Sequence, residues 1–180
     1  MTALVFLDTE FTGLDQPAPR LISLALVPER DDDTLYLELP QEDWIEQASY
    51  WTLANVVPCL RGGAAIGTAA QQRERLVSWL DRQGEVRVVT DYPDYDFAFL
   101  QAMLGTGHPA LHAQPIKFGV ASLGESHRAP LEQARAGFYS VNHPPHNALA
   151  DALALRAMWQ AARALDTAGL YRALGLPEGP

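Results

Sequence analysis

In the stretch FLDTEFTGL, residues 6–14, two acids, Asp8 and Glu10, stand one residue apart. The apolar run before them, residues 3–7, has the length and Val/Phe content of a buried strand, which places both acids at or just past its end. An extended chain alternates its side chains, so positions 8 and 10 point the same way. Two like charges beside an apolar core repel and resist desolvation unless a cation lies between them. A metal site is therefore the first chemistry to consider, and further ligands must come from elsewhere in the chain.

Two other stretches offer them. TDYPDYDFAFLQAML, residues 90–104, opens as a turn at Pro93 and continues with a helical stripe of Phe97, Leu100 and Leu104. Asp96 shares a helix face with Leu100 and Met103 and so faces inward. Asp91 and Asp94 read as helix-capping acids, though either is an alternative third ligand. In VNHPPHNALADALALRAMW, residues 141–159, Asn147 is a good N-cap behind the double proline, His146 lies just outside the first turn, and Asp151 borders an apolar stripe. Each acid alone has a bland explanation, such as the helix dipole for Asp151. Jointly, four inward-leaning carboxylates with no arginine cluster nearby call for divalent metal. Oxygen-rich, cysteine-free ligation favours Mg²⁺ or Mn²⁺ over zinc. Two such ions ~4 Å apart suit in-line displacement at phosphorus, and a neutral histidine near pH 7 supplies a general base.

These residues need a frame. Residues 21–27 and 34–39 read as second and third strands on short connections, forming a three-stranded antiparallel meander with the first. The Asp31, Asp32, Asp33 run between them reads as a solvated tip. Beyond residue 41 the pattern is irregularly helical, with Trp44, Ile45, Trp51 and Leu53 expected to pack inward. A helix over 69–82 is stopped by Gly84, and residues 86–89 form a short buried strand parallel to the first. Residues 105–145 are the least legible, with an edge strand expected over 116–120 and a short helix over 131–136. The last long helix begins at Asn147, and residues 170–176 read as a separate short helix closed by Pro177. The fold class is α/β, a mixed sheet flanked by helices, in one domain over residues 1–180.

The 13 basic and 22 acidic side chains leave a formal charge of −9, which argues against a broad basic face gripping a long duplex but permits a pocket for one nucleic-acid end. Cys59 is the sole cysteine, so no internal disulfide forms, and a reducing cytoplasm is the expected location. No apolar run approaches ~18 residues, so no membrane partner is expected.

In order and type, FLDTEFTGL, YDFAFL and HNALAD resemble the three motifs of the DEDDh exonucleases of the DnaQ-like superfamily, whose fold is ribonuclease H-like. DTEF and HNAL, with the short length, are most similar to small bacterial 3′-to-5′ exoribonucleases. The motifs span residues 6–151, most of the chain. The resemblance implies that Asp8, Glu10, Asp96 and Asp151 bind two Mg²⁺ or Mn²⁺ ions, that His146 is the base, and that Phe11, Thr12 and Leu14 meet the terminal nucleotide. It implies hydrolysis from the 3′ end of short single-stranded RNA, releasing nucleoside 5′-monophosphates, and it admits a homodimer. The alternatives are a DNA-trimming exonuclease and an inactive relative that binds nucleic acid or protein.

Overall fold

A computed structural model describes residues 2–30, 33–105, 107–140 and 142–176. Strand β1 (Ala3–Phe11) is flanked on one side by antiparallel β2 (Leu21–Pro28), itself paired antiparallel with β3 (Leu35–Glu38). On its other side lies parallel β4 (Val86–Thr90), then parallel β5 (Ile116–Lys117), giving the order β3-β2-β1-β4-β5. The expected mixed sheet, an antiparallel meander extended by parallel strands, is present. The helices are α1 (Tyr50–Asn55), α2 (Ala69–Gln83), α3 (Pro93–Leu104), α4 (Glu125–Phe138) and α5 (Ala148–Ala173).

Strand alternation divides the core into two layers. Val5 and Leu7 face Leu76, Trp79 and Leu80 of α2 and Phe97, Leu100 and Leu104 of α3. Phe6 faces the other way, edge-on to Trp159 of α5 with ring centroids 5.9 Å apart, in a cluster that includes Leu131 of α4. Asp8 and Glu10 share the parity of Phe6 and so leave β1 on the side of α5, whereas Thr9 leaves it towards α3.

Several sequence expectations need revision. β1 runs through Phe11, so Asp8 and Glu10 lie inside the strand, because β2 continues to pair with it as far as Phe11 opposite Leu21. The edge strand expected over 116–120 stops after Lys117, and a 3₁₀ turn follows at Val120–Ser122. The short helix expected over 131–136 is the 14-residue α4, with Pro130 inside it and Leu131 fully buried. Within the span of α5 the backbone of Asp166 is non-helical (φ −156°, ψ 90°), so two helices meet there at a kink and the tail is a separate helix as expected, although it starts soon after Asp166 rather than at Leu170 and is helical only to Ala173. Pro177, Asp31 and Asp32 lie outside the described residues. Trp44 packs inward at 2% exposure, but Trp51 and Leu53 are 53% and 40% exposed, because α1 is a single short helix that turns Thr52 inward instead. No helix among the described residues is long and apolar enough to cross a membrane.

Candidate active site

The site lies where the end of β1 meets the starts of α3 and α5. Pro93 opens α3 at a position where its missing N–H is no loss, and Asp96 follows within the first turn. Asn147 caps α5, its side chain accepting from the Ala150 N–H at 3.2 Å, a contribution of about 1 kcal/mol, and Asp151 follows in that first turn. The Asn147 amide also donates to the Cys59 carbonyl (2.8 Å) and to the Tyr36 hydroxyl (3.1 Å). Tyr36 in turn donates to buried Glu38 at 2.6 Å, which accepts from the backbone N–H groups of Arg61 and Gly62 at 2.6 and 3.0 Å. This network fixes the start of α5 against β3.

Two candidate ligand groups result. Ligand atoms of Glu10, His146 and Asp151 all lie within 4.8 Å of one another, as do carboxylate oxygens of Asp8, Asp91 and Asp96. All five residues singled out in the sequence as acids or base are thus brought together. Asp91, an alternative to Asp96 in the sequence, joins it here; Asp94 is in neither group.

The two groups are held differently. Both oxygens of Asp96 accept hydroxyl hydrogen bonds, one from Thr9 at 2.6 Å and one, shorter still, from Thr90. Asp151 accepts from the Tyr139 hydroxyl on Oδ1 and from the His146 backbone N–H at 2.9 Å on Oδ2. That bond fixes His146 in the left-handed region, φ 65°, rare for a residue with a side chain. Its ring lies edge-on to Trp51, centroids 4.8 Å apart. Among the described residues no hydroxyl or backbone amide hydrogen-bonds the carboxylates of Asp8 or Glu10.

Electrostatics follow this arrangement. Burial, then the charge of Asp151, pushes Glu10 up to about 9. Asp8 is held well above the usual carboxylate range by burial and by Asp96, Asp151, Glu10 and Asp91. Asp96 is also raised by burial, but the two threonine hydroxyls limit it to about 6. Asp151 is raised by burial and held back by Tyr139 and the His146 N–H. Buried carboxyls crowded against one another are the donor set of a hard divalent cation, so the residues present fit Mg²⁺ or Mn²⁺.

The segment after β1 shapes the mouth. Thr12 is fully buried: its hydroxyl accepts from the Arg20 N–H (2.9 Å), its N–H bonds the Arg20 carbonyl (3.0 Å), and its carbonyl accepts from the Ser49 N–H (2.7 Å). Thr12, expected to meet the terminal nucleotide, is thus fully buried and ties the loop to α1. Gly13 has φ 133°, and a Cβ there would sit 2.7 Å from the Asp15 carboxylate, so only glycine fits. Leu14 stands 61% exposed. Phe11 stacks flat on Tyr95 (4.9 Å, 4°), which stacks on Tyr92 (5.0 Å, 21°).

Sequence reading missed Thr9, Thr90, Trp51 and Tyr139. The alternation in DTE could have found Thr9, which must leave the strand on the face opposite the acids. Nothing local marks Tyr139, whose place depends on the path of residues 105–145.

No protein-family model matches the chain, and no curated protein matches it in sequence. Its fold is similar to that of S. pombe Pop2p in its Mg²⁺- and Mn²⁺-bound form, with a TM-score of 0.58 and 17% identity over 92% of this chain and 84% of that one. It is also similar to E. coli ExoI in a zinc-bound complex with single-stranded DNA, with a TM-score of 0.62 and 12% identity over 95% of this chain. Exonuclease I of Methylocaldum szegediense gives 0.59 and 14% over 96% of this chain. The chain spans about two fifths of those two exonuclease I chains, 42% of each. What the sheet order and these likenesses together establish is a ribonuclease H-like fold.

Proposed function

We propose that this protein is a metal-dependent 3′-to-5′ exonuclease that releases nucleoside 5′-monophosphates from short single-stranded RNA. One observation carries the reading. Residues from three distant stretches, selected by type and order alone, meet as two oxygen-rich groups, each with ligand atoms within 4.8 Å. Ions held by Glu10 and Asp151 on one side, and by Asp8, Asp91 and Asp96 on the other, would supply Lewis acidity for displacement at phosphorus.

The chain's own residues supply the rest. His146, presented on a left-handed backbone and anchored through its N–H to Asp151, takes a proton from the attacking water at a ring nitrogen. Asp96, fixed by Thr9 and Thr90, orients the second group. Leu14 and the exposed Trp51 flank the mouth and offer apolar surface to the terminal base, while the Phe11–Tyr95–Tyr92 column stiffens its wall. A charge of −9 and an acidic mouth suit a short free end over a long duplex. The single-stranded DNA in the ExoI complex keeps DNA as the second reading.

End-labelled RNA and DNA of one sequence, incubated with Mg²⁺, Mn²⁺ or a chelator, test this. The expected result is a ladder of single-nucleotide steps from the 3′ end, metal-dependent and faster on RNA, with circles left intact. Faster removal from DNA replaces the substrate, cutting of circles replaces exonuclease with endonuclease, and full activity in chelator ends the metal reading.

A further inference from the structure

The segment between the second and third motifs reaches Asp151 through Tyr139. Tyr139 directly follows α4 and donates its hydroxyl to Oδ1 of Asp151, 12 residues further on. Four residues earlier, Arg135 on the last turn of α4 directs its Nε–H to the same phenol oxygen at 3.4 Å. Because the guanidinium has no acceptor to offer, it takes up a lone pair of the phenol oxygen, and the phenol proton is left to point at Asp151. The other carboxylate oxygen, Oδ2, accepts from the His146 N–H. Asp151 is therefore gripped at both oxygens, from α4 on one side and from the backbone of the base on the other. Each oxygen keeps one lone pair for Glu10's side of the site.

We propose that Tyr139 is a positioning residue for the acidic site, one that holds Asp151 in its ligating rotamer and so couples it to His146, and that Arg135 sets the direction of its hydroxyl. The inference rests on the metal-dependent reading above. Free to rotate about χ1 and χ2, an aspartate at a helix start would have to be ordered by the incoming cation, and that ordering would weaken binding. A phenol hydrogen bond removes the cost before the ion arrives. Partners of this kind typically contribute 10- to 100-fold in metal affinity or activity.

The test is Tyr139→Phe, which keeps the ring and removes only the hydroxyl, alongside Arg135→Lys, which keeps the charge but not the Nε–H. Mn²⁺ affinity is measured by titration calorimetry on the whole protein, independently of any substrate. Melting temperature in chelator and the Mg²⁺ dependence of kcat and KM on single-stranded RNA are measured in parallel. Tyr139→Phe is expected to weaken Mn²⁺ binding by roughly 10-fold or more, to raise the Mg²⁺ concentration for half-maximal rate by a similar factor, and to leave substrate KM at saturating Mg²⁺ near wild type. Arg135→Lys is expected to shift both in the same direction by less. Wild-type Mn²⁺ affinity in Tyr139→Phe overturns the proposal, as does a loss of affinity no greater than the loss of folded protein. If the wild type binds Mn²⁺ but degrades no nucleic acid, the exonuclease reading fails while the calorimetry still decides the role of Tyr139. A wild type that binds no Mn²⁺ overturns both.

Discussion

The two acidic groups of this protein differ in who compensates their charge. Asp96 has two hydroxyls committed to it, one on each oxygen, from strands β1 and β4. Among the described residues Glu10, at 9% exposure, has none and faces Asp151 instead. The same burial therefore leaves Asp96 at about 6 and drives Glu10 to about 9. The contrast separates two ways of keeping a carboxylate in a core. Fixed protein dipoles stabilise one permanently and leave the other without such support, so on the proposed reading the second is the carboxylate whose charge depends on metal.

Substitution sharpens this contrast most. Glu10→Gln and Asp96→Asn are both expected to take cleavage below detection, yet to differ in their cost to stability. Below pH ~8 the metal-free protein carries Glu10 protonated, so Gln mimics it at little cost. An amide at position 96 turns an NH₂ towards one threonine hydroxyl and loses a charge-assisted bond, roughly 2 kcal/mol. Melting in chelator at pH 7 checks both, and equal destabilisation by the two variants breaks the comparison.

Next in size is the proposed base. His146→Asn keeps the backbone N–H on Asp151 but removes the titrating ring, so kcat should fall by roughly 10²- to 10⁴-fold with little change in Mn²⁺ affinity. His143, whose ring packs on Phe138 at 5.2 Å, is the control and should matter little when replaced with Asn. If His143→Asn cripples the enzyme and His146→Asn does not, the third motif has been read in the wrong register.

The pH dependence of the metal-free protein carries the contrast into thermodynamics. The folded-state pKa of Glu10, about 9, lies above its ordinary 4.5, so the folded chain holds a proton that the unfolded chain releases across that interval. Its contribution to stability is complete below pH 4.5 and is lost as pH rises through about 9. In chelator the melting temperature should therefore fall between pH 6 and pH 9. Mg²⁺ should restore it increasingly as pH rises, since binding then displaces fewer protons. A profile unchanged by Glu10→Gln would remove Glu10 as the cause.

How much of this was legible depended on what positions each residue. The meander, the helix stopped at Gly84 and the Asn147 cap follow from local periodicity and punctuation, and they carry Asp8, Glu10, Asp151 and His146. The end of β1 was misplaced because pairing with β2, not the apolar run, decides where the strand stops. Thr12 and Trp51 were exchanged in character. Hydrogen bonds across the loop to Arg20 and Ser49 bury the polar residue, and a six-residue helix leaves the aromatic one outside. Residues 105–145 resisted because α4 contains Pro130 and fully buries only Leu131, too little for a readable stripe. Tyr139 depends on that segment's path, and so its contact with Asp151 had no local signature.

The smallest expected effect belongs to Leu14, and its smallness is what makes it informative. At 61% exposure the side chain has little packing to lose, so Leu14→Ala should change stability by less than about 0.5 kcal/mol. It carries no ligand atom and belongs to neither acidic group, so kcat at saturating substrate and metal affinity should stay at wild type. On the proposed reading it offers apolar surface to the last base, and loss of such a contact is expected to cost about 1 kcal/mol, or roughly a 5-fold rise in KM. Phe11→Ala differs: that ring stacks on Tyr95 and lies 5.4 Å from Phe99, so its removal should cost stability as well as affinity. Measuring KM, kcat and melting temperature for the pair separates a surface that touches substrate from one that supports the wall. An unchanged KM in Leu14→Ala, on RNA and DNA alike, would place the terminal base against Trp51 alone.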